Sequence, residues 1–425
     1  MLHRFPRLAA ALDGPLALLV LMLLVAAWSV PIAARMIAAG DYPDHLRIAA
    51  EVAAVPHVPA PHFLYFVSVA LLITLLPSIS VPVAGIAVTT AFVLGTAAVV
   101  WWYLRRTSHR SPAAIVLVTC ALFVAGPVLL SSISPDVFLI GFFVPNPYHN
   151  ATIVAARPFA VALLIGGAAA LDRTEIRMPA WVAAAAVLLS AVSKPNYLLC
   201  LVPALALVAA VRLIMRRPIR WPVLLAIVIP AATLVWVLRE AYGARGVEVI
   251  VAPFAAIRFH TAVDATLALK LLASVAFPLA VIAFWPRLLI THGELALAWA
   301  AMIVALLQGY LLAEAGPRID HANLIAGGSL AVFVLMVASC SAMLGRSAPE
   351  GTRERLRLAI AWSVFGLHIA GGFRHLLVTM MTPARWVTPL GYLAVAVAAA
   401  WLALLARQWI TRGRASRGST RLYTR

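Results

Sequence analysis

Residues 15–34 read PLALLVLMLLVAAWSVPIAA, twenty positions without a charge. About 20 apolar residues are what a helix needs to cross the hydrocarbon core of a bilayer. A secretory signal has a shorter apolar region followed by a small-residue cleavage site. Neither condition is met, so the run reads as a first span that is retained. Arg4 and Arg7 precede it.

Outward from this run the whole chain has the same character. Of its 425 residues 64% are hydrophobic and 11% charged, and the mean hydropathy is +0.99. These values lie outside the range of water-soluble domains. The net charge of +18 does not indicate nucleic acid, because the arginines sit in short loops between apolar runs and form no basic block in a polar domain. Two basic residues are lysines, Lys194 and Lys270, and the rest are arginines. Cys120, Cys200 and Cys340 each lie inside an apolar run without metal-ligand spacing and read as small core residues.

Further runs of near-spanning length occur at 81–104, 112–131, 151–171, 180–192, 196–211, 222–238, 267–285, 295–313, 324–344, 358–373 and 389–406. The expectation is an all-α polytopic membrane protein of about twelve transmembrane helices, one transmembrane domain over residues 1–425 with a basic tail at 408–425. The runs at 180–192 and 196–211 are short and share Lys194-Pro195, where a tight hairpin or broken helix is expected. The run at 62–76 is short and hemmed in by prolines. If it does not cross, the arginine clusters at 105–110, 173–177, 216–220 and 353–357 face the cytoplasm with both termini, as the positive-inside rule requires. It therefore reads as a juxtamembrane or re-entrant element of an external loop, 37–80.

That choice gathers the polar loops on the opposite face: Gly40 to His45, Asn146 to Asn150, Lys194 to Tyr197, Arg258 to His260, and Glu314 to His321. Nine of the fifteen acids join them there, Asp41, Asp44, Glu51, Asp136, Glu240, Glu248, Asp264, Glu314 and Asp320. Ionisable residues at membrane level are costly and so are functional suspects. Tyr42 precedes a proline and is biased to extended backbone, so a helix begins at about Pro43 and leaves Asp41 outside it. Leu46, Ala49, Ala50 and Ala53 then share one side, and Asp44, Arg47 and Glu51 form a stripe on another, as in a helix lying on the membrane surface. On a bland reading Asp44 favours the helix N-terminus and Asp41 is a solvated loop acid.

A first span, an external loop with acids and surface helices, and then the proline-led segment Pro61-His62-Phe63-Leu64-Tyr65 resemble the C-type membrane glycosyltransferases of GT-C fold. Asn146 to Asn150, Arg157-Pro158-Phe159 and Ser193-Lys194-Pro195 also look like bacterial membrane proteins of this general type. The chain departs from the better-known branches in having no adjacent Asp-Glu or Asp-Asp pair. The resemblance implies a polyprenyl-phosphate-linked sugar as donor, an acceptor hydroxyl on the extracytoplasmic face of a bacterial cytoplasmic (inner) membrane, and inversion at the anomeric carbon. The family's external-loop base maps onto Asp41, with Asp44 as a second acid that orients the acceptor.

Such chemistry needs a base for the acceptor and cations for the departing phosphate. Lys194, Arg258 and Arg318 are the candidate cations. His45, His149, Asn150, His260, Asp320 and His321 are expected to complete the substrate-binding surround. Each has a structural alternative: Lys194 snorkels to the interface, Arg318 pairs with Glu314 or Asp320, Arg258 anchors an interfacial segment, and Arg157 caps a loop or pairs with Asp136. A lipid monophosphate donor requires no cofactor, although Asp41, Asp44 and Asp320 leave a divalent cation open. The expected partners are lipid-linked sugar and membrane lipid, with no nucleic acid and an open oligomeric state. The rival reading is a multispan transporter or flippase of lipid-linked sugars, but the two halves show no repeat and the polar groups gather at one face rather than at midplane.

Overall fold

The computed structural model describes residues 14–57, 62–108, 110–129, 141–174, 176–243, 248–346 and 351–380. The expected last span at 389–406, the tail at 408–425 and Asp136 lie outside the described residues. The chain is an all-α polytopic membrane protein apart from one small ribbon. Its helices are α1 (Pro15–Met36), α2 (Tyr42–Ala54), α3 (Leu64–Leu75), α4 (Val81–Thr107), α5 (Pro112–Val124), α6 (Ala151–Ala170), α7 (Ala180–Ser193), α8 (Asn196–Ile214) and α9 (Trp221–Gly243). After them come α10 (Ala255–Arg258), α11 (Ala265–Phe284), α12 (Leu288–Thr291), α13 (Gly293–Leu311), α14 (Ile325–Leu344) and α15 (Gly351–Met380). Strands β1 (Val249–Val251) and β2 (Leu312–Glu314) pair antiparallel, Val249 opposite Glu314, and a 3-10 turn follows at Gly316–His321.

Among the described residues eight helices are long and apolar enough to cross a membrane: α1, α4, α6, α8, α11, α13, α14 and α15. Four shorter apolar helices accompany them, α3, α5, α7 and the first part of α9. At 12 residues α3 extends about 18 Å, well short of a bilayer core of roughly 30 Å. Proline opens α1, α2, α4 and α5, where its missing N–H removes no helical bond. The sequence places the break between two short spans at Lys194-Pro195, and the structure ends α7 at Ser193 and starts α8 at Asn196. Lys194 is extended there, as a residue before proline prefers.

Helices α6 and α14 form the centre, each with 89% of its apolar window buried. Around them α4, α7, α8 and α13 close the bundle, with α1 against α4 and α2 against α3. Surface helix α2 buries Tyr42, Leu46, Ala49 and Val52 and exposes Asp44, Arg47 and Glu51; the polar stripe is the one its spacing predicts, while on the expected apolar side Ala50 and Ala53 are only half-buried. At the end of the bundle reached by the C-termini of α6 and α14, Arg220 pairs with Asp172 at 2.5 Å and Arg346 pairs with Glu354.

The run at 112–131 departs from its expected length, because α5 stops at Val124. Gly126 precedes Pro127 and is steered from helical backbone, so the helix ladder ends and other partners take its place. The Gly126 N–H donates to the His368 carbonyl at 2.9 Å, and the Val128 N–H donates to Ala273 at 2.9 Å. The His368 ring closes the set: Nε2 lies 3.1 Å from the Phe277 N–H and Nδ1 2.6 Å from the Gly126 carbonyl. The amide can only donate and the carbonyl only accept, so the neutral ring carries its proton on Nδ1. This wholly buried histidine satisfies both the broken end of α5 and the stretch of α11 kinked at Val275. It lies where lipid and core offer no water.

The crossing of α15 over the Val124–Pro127 backbone is so close that a Cβ on Gly372 would stand 1.8 Å from the Val124 carbonyl oxygen, whereas one on Gly95 in α4 would meet nothing within 4 Å. Gly372→Ala is therefore expected to lower stability by about 1–3 kcal/mol. Gly95→Ala should raise it by about 0.5–1 kcal/mol through reduced chain entropy. Thermal unfolding of the two variants in one detergent checks the pair, and equal melting temperatures would contradict the close crossing.

Candidate functional site

The site begins with a turn. Gly40 has φ +59, and a Cβ there would meet the His149 carbonyl oxygen at 2.7 Å, so only glycine fits both the left-handed backbone and the contact. The approach lets the Asp41 N–H donate to that same carbonyl at 3.1 Å, while the Asp41 carbonyl accepts from the His45 N–H at 3.1 Å and starts α2. Asp41 thus stands at the cap position of α2, yet its side chain makes no cap bond. Its carboxylate turns to Asn150, whose Nδ2 donates to Oδ2. Asn150 is itself fixed at the N-terminus of α6, where Oδ1 accepts from the Ile153 N–H at 3.0 Å and from the Thr152 hydroxyl at 2.8 Å.

Asp41 is exposed to a cleft of about 1290 Å³, whose walls carry His45, Asn150, Thr152, Lys194, Asn196, Glu314, Arg318, Asp320 and His321 among others. A smaller, more apolar chamber of about 540 Å³, with Phe142, Val144, His149 and Ile153 in its wall, meets the cleft at Asp41, His260 and His321. Lys194 is 8% exposed and its Nζ lies 3.5 Å from the Thr152 hydroxyl. Burial pulls the Lys194 ammonium down to about 8, against the opposing pull of Asp41 and Glu314. Burial likewise lowers His45 to about 4, with Lys194 adding to it and Asp41 and Asp44 opposing. His149 is lowered by burial first, with Lys194 and Arg157 adding to it. Both rings are therefore neutral at physiological pH, and Lys194 is the buried titrating cation of the cleft.

The other expected site residues divide. Arg318 donates to Glu314 at 3.2 Å, and Asn323 donates to the same oxygen at 2.9 Å, so the Arg318 charge is largely answered within the wall. The His260 ring contacts the Asp320 carbonyl at 2.5 Å, and His321 stands 4.0 Å from the Asp320 carboxylate. Asp44 turns outward: its side chain is 80% exposed, 3.8 Å from Arg47, and lines neither chamber. Arg258 is exposed and lines neither chamber. Among the described residues no three His, Cys, Asp or Glu side chains are arranged to hold a metal, so Asp41, Asp44 and Asp320 do not form a ligand set.

Sequence reasoning missed several wall residues. Thr152, Arg239 and Asn323 were not singled out, although Arg239 stands beside Glu240 near the end of an apolar run and so carried a signal. Arg157 does not cap a loop, and its other expected partner, Asp136, lies outside the described residues. Arg157 lies wholly buried inside α6, its guanidinium 5.1 Å from the Tyr148 ring centre and 5.5 Å from that of Phe333. Such stacking suits a weakly hydrated guanidinium. It places a second positive charge beneath the His149 side of the site.

Because Lys194 holds its proton below about pH 8 and loses it above, anion affinity that depends on it should fall as pH rises through that value. For dodecyl phosphate the expected loss between pH 7.5 and 9 approaches about fivefold to tenfold. Lys194→Arg, which stays charged throughout, should flatten the profile. Equilibrium binding at several pH values checks this, and a profile unchanged by the arginine variant would remove Lys194 from anion binding. No family model, curated protein or solved structure matches the chain, so its function is argued from the chemistry of the cleft.

Proposed function

We propose that the chain is a membrane glycosyltransferase of GT-C type that moves a sugar from a polyprenyl-phosphate donor to an acceptor hydroxyl, with inversion, at the extracytoplasmic face of a bacterial inner membrane. In this reading it has about twelve spans and cytoplasmic termini. The observation that carries the proposal is one cleft holding an open carboxylate, Asp41, and a buried ammonium, Lys194, bridged by the polar N-terminus of α6.

The reaction needs no more charged groups than these. Asp41 accepts the proton of the acceptor hydroxyl through its free oxygen as that hydroxyl oxygen bonds the anomeric carbon. The bond from that carbon to the phosphate oxygen breaks, and its electron pair leaves with the lipid phosphate. Lys194 meets the charge that develops on the phosphate, in surroundings dry enough to strengthen the contact. Asp41 suits the role of base better than Asp44, because it faces the cleft while Asp44 faces solvent beside Arg47.

Asp41→Asn should keep the shape of the site and lower turnover by roughly a hundredfold or more, with donor binding retained. Asp44→Asn should cost far less. The assay is release of polyprenyl phosphate from a panel of lipid-linked sugars by equally folded variants. A purified wild type that consumes no donor while moving lipid-linked sugar across vesicles would overturn the enzyme in favour of a transporter.

The orientation has its own check. Cysteine placed at the exposed Ser78 should react with an impermeant reagent from outside, and cysteine at the exposed Arg217 should not. Reaction at Arg217 would invert the topology and remove the external site.

A further inference from the structure

We propose that Thr152 is a positioning residue that couples Lys194 to Asp41 through a one-way hydrogen-bond chain; the assignment of roles to those two end groups rests on the function proposed above. The direction of every bond in the chain follows from one fixed donor. The Ile153 N–H can only donate, so the Asn150 atom 3.0 Å from it is the oxygen. The amide nitrogen therefore faces Asp41 and donates to its carboxylate. The Thr152 hydroxyl lies 2.8 Å from the same Asn150 oxygen and must donate to it, having no other way to meet an acceptor. Its proton is then committed, and only lone pairs remain toward Lys194 Nζ at 3.5 Å. Lysine donates to threonine, threonine to asparagine, and asparagine to aspartate.

Among the described residues Thr266 likewise donates to the side chain that caps its helix, Asp264, but most helical hydroxyls behave differently. Ser68, Thr74, Thr96, Thr119 and Ser339 each donate to the carbonyl four residues back, the usual resting place for such a group. Thr152 stands in the first turn of α6, where the side chain that caps the helix is within reach. It is 1% exposed, yet its hydroxyl borders the cleft. The arrangement gives Lys194 an acceptor that a buried ammonium otherwise lacks, and it holds the Asn150 amide with its donors toward Asp41. Among the described residues Asp41 and Lys194 share no direct ion pair, so a ligand can enter between them while the chain persists behind it.

The two lysines of the sequence make the test direct. Full-length protein carrying ¹³Cε-lysine, in nanodiscs, gives one signal each for Lys194 and Lys270, with Lys270→Arg assigning them. Thr152→Val keeps the shape but deletes the hydroxyl, and should lower the Lys194 titration midpoint by about 0.5 to 1 pH unit, because the charged form loses an acceptor. In the transfer assay it should reduce kcat about threefold to tenfold and raise the donor KM. Thr152→Ser should restore both readouts. If the valine substitution is not tolerated, Thr152→Ala against Thr152→Ser gives the same comparison. A Lys194 midpoint unmoved by loss of the hydroxyl, or not restored by serine, overturns the coupling. A wild type that consumes no donor overturns the transferase reading, while the lysine titration still decides whether the chain of bonds exists.

Discussion

The bond from Asn150 to Asp41 joins two parts of the chain that have different reasons to be where they are. Asn150 is held by the N-terminus of α6, the helix that shares the centre of the bundle with α14. Asp41 sits at the start of a surface helix that otherwise packs its apolar side against α3 and α4. An acid in a loop after a first span would ordinarily explore many rotamers in water. Here its backbone is pinned to His149 and its carboxylate to Asn150, so one of the two most deeply buried long helices among the described residues fixes the carboxylate's position. One oxygen is occupied and the other is left to the cleft. The Gly40 turn is the local condition for this, since any side chain there would strike the carbonyl that Asp41 must reach.

The same constraint, that a backbone group in a lipid-facing bundle must find a partner inside the protein, explains the rest of the architecture. Helices break in two places near the middle of the chain's packing. At Lys194-Pro195 the freed groups and a lysine face a polar cleft; at Gly126-Pro127 they meet the His368 ring and the backbone of α11 and α15. The first break opens onto a polar cleft and the second makes a tight helix crossing. What differs is the neighbour: polar side chains from α6 and the 3-10 turn in one case, glycines and a neutral imidazole in the other.

The fold class was legible because spanning length is a property of composition that no tertiary contact overrides. The surface helix was legible too, because Leu46 and Ala49 on one side and Asp44, Arg47 and Glu51 on another satisfy its period, and the structure buries and exposes them accordingly. Asp41 stood out by position alone. The partnerships were legible only as alternatives. The sequence offers Arg318 a pair with Glu314 or Asp320 as well as a ligand, and the turn at Gly316–His321 brings it to Glu314. Arg157 was read as a loop or ion-pair residue because a charge in an apolar run usually seeks a carboxylate. The rings of Tyr148 and Phe333 came from distant segments. Thr152 was silent because a hydroxyl in an apolar helix is ordinarily absorbed by its own backbone.

The charges around Asp41 are answered unequally within the wall. Glu314 is engaged by Arg318 and Asn323, and His45 and His149 are held neutral by burial. Among the described residues Lys194 and Arg157 are buried positive charges on the α6 side, while Asp41 shares the cleft wall with the carboxylates of Glu240, Glu248 and Asp320. In the proposed reaction the donor phosphate meets the lysine end of the Thr152–Asn150 chain, which leaves Asp41 at the other end free to act as a base. The polarity of that chain matters for the same reason. Every donor in it points from Lys194 toward Asp41, so the bonds that stabilise the carboxylate and the bond that steadies the ammonium are set by one helix terminus, and neither depends on the ligand being present.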